Sequence, residues 1–472
     1  MNGRKTVRAL TMILAAVGVA GCSLMPDYHR PDMPKTETFK EDGLWRLSRP
    51  ADKQPRGDWW VHYHDPELDV LESKLNQDNL VIQEALARYD AATAFLTEEN
   101  AQLYPEINLT GNELTNRQSV NRPHRGQGQP NIYGNTALGG GFIYEIDFWG
   151  AIRSAIASAE ASAAASKADI ESARLSLEAM LATSYIKLRG LDAELGLLRF
   201  SIDAYDKELQ MMQRRHDQGT VSGLDVARSE ALLEQTRGQL ARVTGTRALY
   251  EHALAVLVGQ VPSQFSLAED AQWTTKIVYP LIPSAIPSTV LQRRPDIAAA
   301  ERRVAAANAE IGVARAAFYP TISLAALGGF QNTGYGPLLS TPNSFWSLGP
   351  LAFFNIFDAG ARQAVVDQAS AKTRVATAAY KNTVLNAFRE VEDSLSQLHN
   401  LSEQDQHELL AVKAARHTYD LAINRYREGA VSYLEVIDAE NVRLATERSE
   451  LNVGTARLQA SVDLIRAIGG SW

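Results

Sequence analysis

All 18 prolines of this 472-residue chain fall outside two long stretches, residues 131–261 and 351–472. A proline inside a helix forfeits a backbone hydrogen bond and clashes with the preceding turn, at a cost of about 3 kcal/mol. Two proline-free runs of this size point to very long helices. Length alone would suggest about three ordinary domains of roughly 150 residues each. Charge and cysteine content remove whole classes of function. With 47 Lys and Arg against 55 Asp and Glu, the net charge of −8 lacks the cationic excess that phosphate backbones demand, so no nucleic-acid partner is expected. The single cysteine excludes an intrachain disulfide framework and any cysteine-rich metal site.

The chain is written twice. Tyr144-Glu145-Ile146-Asp147-Phe148-Trp149-Gly150 answers Phe354-Asn355-Ile356-Phe357-Asp358-Ala359-Gly360, with Ile146 matching Ile356 and Gly150 matching Gly360. The same spacing pairs the run from Arg215 to Val226 with the run from Arg425 to Val436, and Gly259 with Gly469. Upstream, Leu103-Tyr104-Pro105-Glu106-Ile107 answers Phe318-Tyr319-Pro320-Thr321-Ile322 at a slightly different spacing. These matches divide the chain into an N-terminal segment (22–79), a first repeat (80–261), a linker (262–289) and a second repeat with the C-terminal segment (290–472).

Both repeats follow one plan. A helix rich in Ala, Glu and Leu (80–103; 296–318) stops at Tyr-Pro, because proline bars the helical region to its predecessor. Two strand-like stretches follow, at 106–118 and 133–148 and again at 321–333 and 344–357, separated by turn-rich segments. Then comes a helix over about 150–215 or 360–425, which at 1.5 Å per residue is roughly 100 Å long. A Gly-x-Val-Ser turn reverses the chain into a shorter helix ending near Gly259 or Gly469. Ala151, Ala155, Ala159, Ala163 and Ala165 allow close helix approach, and Leu175, Leu177, Leu181, Leu188, Leu191, Leu195 and Leu198 broaden the apolar stripe. Helices this long need partner helices alongside them.

The N-terminus reads as an address. Arg4, Lys5 and Arg8 precede an apolar stretch from Ala9 to Val19, followed by Ala20-Gly21-Cys22, the pattern of a secretory signal over residues 1–21. Cleavage ahead of Cys22 resembles a bacterial lipoprotein signal, which implies a covalent lipid on Cys22, the chain's one cysteine; no other cofactor is expected. Ser23 in the following position implies the outer membrane as the destination. Past this signal no run of 18 apolar residues occurs, so any membrane crossing by the mature chain must use strands closed into a barrel. Four strands cannot close a membrane barrel, which takes about eight at least, and open edges are not tolerated in lipid. The strands must be shared among copies; two copies would give eight and three would give twelve.

Tyr144 to Gly150, the stretch from Arg294-Pro295-Asp296 through Ala317-Phe318-Tyr319-Pro320, and Tyr433-Leu434-Glu435-Val436-Ile437-Asp438-Ala439 together resemble the TolC family. More narrowly they resemble its lipidated branch, the outer-membrane factors of resistance–nodulation–division efflux pumps. The resemblance also takes in Trp59-Trp60 and Asp65-Pro66-Glu67-Leu68. It implies a mainly α protein with a membrane β-barrel: a homotrimer whose α-helical tunnel crosses the periplasm beneath a twelve-stranded barrel, four strands per chain. Segments near 40–75, 262–290 and 460–472 would form a belt around the tunnel. The implied partners are a periplasmic membrane-fusion adaptor, an inner-membrane pump of the same class and outer-membrane lipid, in a Gram-negative bacterium. The implied function is a passive exit duct for drugs or other small toxic compounds, with no enzymatic chemistry. Two alternatives stay open: the exit channel of a type I protein-secretion system, which shares the fold, and a non-conducting protein that only bridges the periplasm.

The resemblance also assigns a periplasmic gate near the Gly-x-Val-Ser turns. Glu435 and Asp438, three apart on a helix, share a face, and three-fold symmetry would stack them as two rings of carboxylates that attract cations. Asp225, the repeat partner of Glu435, and Tyr426 match positions that enter the family's closing network. His216 stands where repeat symmetry expects tyrosine. Val431 occupies a position where the secretion branch carries a bridging arginine, leaving Arg425 or Arg427 as substitutes. In the turns Gly219-Thr220-Val221-Ser222 and Gly429-Ala430-Val431-Ser432, glycine supplies the left-handed C-cap and serine the next N-cap. Val221 and Val431 would stand exposed, and with Gly219, Ser222, Gly429 and Ser432 they form the expected adaptor-docking tips.

Three other features are assigned structural roles. His62-x-His64 with Asp65 reads as packing in an extended loop rather than a metal site. Gly139-Gly140-Gly141 lacks the strand–loop–helix context of a phosphate cradle and fits relief of crowding in a barrel strand. Trp149 reads as a packing aromatic.

Overall fold

The computed structural model describes residues 23–32, 57–122, 128, 130–280, 293–334 and 337–470. The signal segment 1–21 and Cys22 lie outside them. Seven α-helices occur among the described residues: α1 (Pro66–Asp78), α2 (Leu80–Ala101), α3 (Ala151–Asp217), α4 (Gly223–Leu257), α5 (Pro295–Ala316), α6 (Ala361–Arg427) and α7 (Tyr433–Ala467). The four strands are β1 (Glu106–Arg117), β2 (Ile132–Glu145), β3 (Thr321–Asn332) and β4 (Ser344–Phe353). The proline-free runs hold α3 and α6, each of 67 residues, and α4 and α7, each of 35. No helix among the described residues is long and apolar enough to cross a membrane.

The chain divides into two compact units. The first comprises the described residues within 1–31, 89–166 and 300–380 and contains the four described strands. They form one antiparallel sheet in the order β1-β2-β3-β4, so β2 of the first repeat pairs with β3 of the second. β4 ends at Phe353, short of the expected 357. Its partner there is Thr321, and the preceding Pro320 has no N–H to extend the ladder. Trp149 donates from Nε1 to the Pro320 carbonyl at 2.8 Å and stacks on Tyr319 with centroids 4.6 Å apart.

The second unit comprises residues 32–88, 167–299 and 381–472. Its main core joins Trp59, Tyr63, Leu68, Leu71 and Leu75 to Leu181, Tyr185 and Leu188 of α3 and to Leu458, Val462 and Ile465 of α7. Residues Trp59–Tyr63 form a 3-10 turn, not an extended loop, and His64 takes a left-handed φ of 53°. That geometry aims Asp65 at the start of α1, where its Oδ1 accepts from the backbone N–H of Glu67 (3.0 Å) and Leu68 (3.3 Å). Its Oδ2 accepts from the Tyr185 hydroxyl (2.8 Å) and the Trp273 indole (2.6 Å). Asp65 therefore fixes a helix start and two neighbouring segments through four donors.

Candidate functional site

Four helix ends share one device. Gly219, Gly259, Gly429 and Gly469 have φ of 70°, 72°, 74° and 96°. At each, the glycine N–H bonds three residues back and the next N–H bonds five back, as in Gly429 to Tyr426 (3.0 Å) and Ala430 to Arg425 (2.8 Å). These are Schellman closures, which satisfy carbonyls the ended helix leaves open. After the first turn Ser222 caps α4 through a bond from the Leu224 N–H at 3.0 Å. Ser432 holds the same position before α7 without a side-chain cap bond, a departure from the expected symmetry.

The two hairpins differ in the chemistry packed behind these turns. Tyr433 is buried against Tyr426 with centroids 5.5 Å apart, and the Tyr426 hydroxyl reaches Met212 Sδ at 3.6 Å. At the matching places the first hairpin has His216 and Gly223. His216 Nδ1 lies 2.9 Å from the Val221 carbonyl, so that nitrogen carries the proton. Val221 and Val431 are half-buried rather than exposed. Val221 packs on the cluster of Met212, Tyr433, Val436 and Ile437. The exposed apolar groups are instead Leu224 (59%) and Leu434 (41%), which the repeat sets in equivalent places.

Glu435 and Asp438 are both exposed on α7, with no hydrogen bond or ion pair to either carboxylate among the described residues of the protomer. Neither Arg425 nor Arg427 pairs with them, so no arginine of this turn takes the bridging role. The repeat equivalents behave differently: Asp225 is half-buried and lies 3.7 Å from Arg228. A more rigid network follows on α7. Glu440 accepts from Tyr205 (2.6 Å) and from Arg443, and Arg443 and Arg416 both bond to Glu447. The Tyr205 hydroxyl is pushed upward in pKa by burial and by the Glu440 charge. Glu208 is pushed up by burial as well.

The sheet has two chemically distinct faces, read from its register. One carries Ile107, Phe142, Ala326 and Leu348 in one row, and Leu109, Gly140, Gly328 and Trp346 in the next. Ile107 and Leu109 are each 78% exposed and Trp346 is 81% exposed. The opposite face carries Asn108, Gly141, Leu327 and Ser347, then Thr110, Gly139, Gly329 and Phe345. Space requires glycine at 329, where the neighbouring atom is backbone, whereas at 141 it is the movable end of a side chain. A Cβ on Gly329 would stand 2.2 Å from the Leu138 carbonyl oxygen, and one on Gly141 would stand 2.4 Å from Asn108 Oδ1. An apolar face, a mixed opposite face in which glycine and polar residues alternate with Leu327 and Phe345, and two edge strands unpaired among the described residues make a segment of an incomplete membrane barrel.

Residues Ser23 to Asp32 supply a feature absent from the sequence reading. Pro26 O accepts from Asn308 at 2.8 Å, the Tyr28 hydroxyl donates to Glu301 at 2.6 Å, and Arg30 Nε donates to the Tyr380 hydroxyl at 3.0 Å. This strap descends α5 from its C-terminal end, and Met25 lies so close to Gly312 that a Cβ there would be 2.9 Å away. Ser23 comes within 3.3 Å of a Cβ placed on Gly150, at the start of α3.

The model of the outer membrane efflux protein family matches residues 71–260 and 286–470, one match for each repeat. A probable efflux pump outer membrane protein of Pseudomonas putida, TtgC, is 30% identical over 471 residues, covering 99% of this chain and 96% of that protein. The outer membrane protein OprJ of Pseudomonas aeruginosa is 29% identical across 99% of this chain and 97% of its own length. The solved outer-membrane channel OprN superposes with a TM-score of 0.84 at 28% identity, covering 96% of this chain and all (100%) of that one.

Proposed function

Since the chain belongs to the outer membrane efflux protein family, we propose that three copies pool their strands into a twelve-stranded barrel, continued by a tunnel of the long helices. The protein is an outer-membrane efflux channel and performs no enzymatic reaction. The observation that carries closure between copies is the sheet: among the described residues it has four strands, two unpaired edges and an uncovered apolar face, and the count of three follows the family. Closure with other copies pairs the edges, and lipid covers the apolar face. A protein that merely bridged the periplasm would need none of these features.

Within that assembly Cys22 carries the lipid anchor, and the strap supports this. Ser23 rests beside Gly150, where β2 has just ended and α3 begins, so a lipid on the preceding residue would enter the membrane at the edge of the apolar band. Glu435 and Asp438 form the acidic constriction. The turns at Gly219-Thr220-Val221-Ser222 and Gly429-Ala430-Val431-Ser432 dock a periplasmic adaptor, with Leu224 and Leu434 as the apolar contacts, and the adaptor joins the channel to an inner-membrane pump. The cargo is small toxic compounds, and their selection belongs to the pump.

The test is conductance of the purified protein in a planar bilayer, with the mass of the detergent-solubilised oligomer measured in parallel. Trimers that conduct are expected. A monomer without conductance would overturn the reading, and a conducting dimer would overturn the strand count.

A further inference from the structure

We propose that the buried Glu72, on the face of α1 that meets Glu178 of α3, keeps a proton in the folded protein, so that acid tightens this part of the fold and base loosens it. Asp69, Glu72 and Asn76 lie on one face of α1 by their helical spacing. Glu72 is fully buried (0% exposed) inside a helix stripe otherwise made of Leu68, Leu71 and Leu75. Neither of its carboxylate oxygens has a hydrogen-bond partner, and Asp69 Oδ1 and Asn76 Oδ1 are likewise buried and unpartnered. Across from them on α3, Glu178 is 6% exposed and accepts from the Trp59 indole at 3.2 Å and from Asn76 Nδ2 at 3.1 Å. The contact is rich in acceptors, and both of these donors are spent on Glu178.

An ionised carboxylate buried without a donor is strongly disfavoured, and two in one apolar pocket more so. A proton resolves both problems, because a carboxylic acid is a donor as well as an acceptor. The surrounding charges do not offer another solution. Asp69 on α1 and Glu171 on α3 add negative charge, and Arg174, the cation acting on Glu178, is bonded through Nη1 to Glu171 at 3.2 Å, while its buried Nε bonds neither Glu72 nor Glu178. Beside the 3-10 turn, Asp58, His64 and Asp65 act on Asp69. No group of His, Cys, Asp or Glu among the described residues is arranged to hold a metal ion.

Burial, then the charges of Glu178 and Asp69, hold the Glu72 carboxyl well above the usual range. Burial pushes Glu178 up to about 7 despite its two hydrogen bonds. For groups raised in the folded state, the stabilising share is complete below the unfolded value and is lost as pH rises through the folded one. The window therefore opens near the ordinary glutamate value of 4.5 and extends through about 7 and beyond.

The experiment is thermal unfolding of the purified full-length channel across this window, for wild type, Glu72→Gln and Glu178→Gln, with infrared spectra at neutral pH. The wild-type Tm is expected to fall as pH rises, and Glu72→Gln, neutral at every pH, to lose at least half of that slope. The protonated-carboxyl band of the wild type should disappear in Glu72→Gln. An unchanged slope in Glu72→Gln, or no protonated-carboxyl band in the wild type, would overturn the proposal. A slope that depends on added sodium or calcium would overturn it too, since a bound cation would then replace the proton.

Discussion

Arg228 lies 3.7 Å from Asp225, one turn further along α4, and the repeat puts Asp438 in the place of Arg228 and Glu435 in the place of Asp225. The first hairpin thus neutralises its acid internally, and the second presents two carboxylates without an internal partner. Neutralising Glu435 and Asp438 together (E435Q/D438N) should lower the preference for cations by a factor of about 30, taking about 1 kcal/mol for each of the two charges in a water-like dielectric. Asp225→Asn should leave the preference nearly unchanged. Reversal potentials under a salt gradient in planar bilayers distinguish the two, and equal effects would discount the asymmetry.

Asp65 serves four donors from three parts of the chain. Replacing it with alanine leaves the Tyr185 hydroxyl and the Trp273 indole unsatisfied in the core and uncaps α1. Each lost bond to a charged group is worth about 1.5–3 kcal/mol, so Asp65→Ala should lower stability by at least about 3 kcal/mol. Denaturant unfolding of the detergent-solubilised protein checks this, and a loss under 1 kcal/mol would contradict it.

At Gly329, in the seam between β2 and β3, there is no room for a side chain. Gly329→Val would set a Cβ against the Leu138 carbonyl and should abolish oligomer assembly, read as the mass of the detergent-solubilised protein. Gly349→Ala, where nothing lies within 4 Å of a Cβ, should assemble normally. Loss of assembly in both would point to strand flexibility in place of close approach.

The Schellman glycines allow a graded comparison. Gly219→Ala and Gly429→Ala force a Cβ into the left-handed region with no steric contact around it, so each should cost about 1 kcal/mol. Gly259→Ala adds a clash with the Asp78 carbonyl at 2.7 Å and should cost clearly more. Melting temperatures of the three variants rank them.

The features legible in the sequence are those that local chemistry enforces. Tyr-Pro ends α2 and α5, glycine with positive φ ends α3 and α6, and the repeat places both signals twice. What escaped the sequence depends on contacts between distant segments. Asp65 looked like part of a histidine-rich loop until the left-handed His64 turned it onto α1. Glu72 gave no sign of being buried, because a glutamate at that spacing also fits a solvated face, and only the fold places it opposite Glu178. Val221 is half-buried because the short turn that carries it lies over the cluster of Met212 and Tyr433, which a local sequence does not reveal. β4 stops short of the strand-like run in its sequence because its limit is set by the proline that precedes β3.

The pairing of β2 with β3 joins one copy of the ancestral unit to the other inside a single polypeptide. The union proposed between β4 of one subunit and β1 of the next is the same kind of seam, made without a covalent tether. Six quasi-equivalent hairpins would then encircle the pore, with every second junction fused. That fusion frees alternate hairpins from identity, and His216 beside Gly223 against Tyr426 beside Tyr433 is a difference a true six-fold ring of identical chains could not encode.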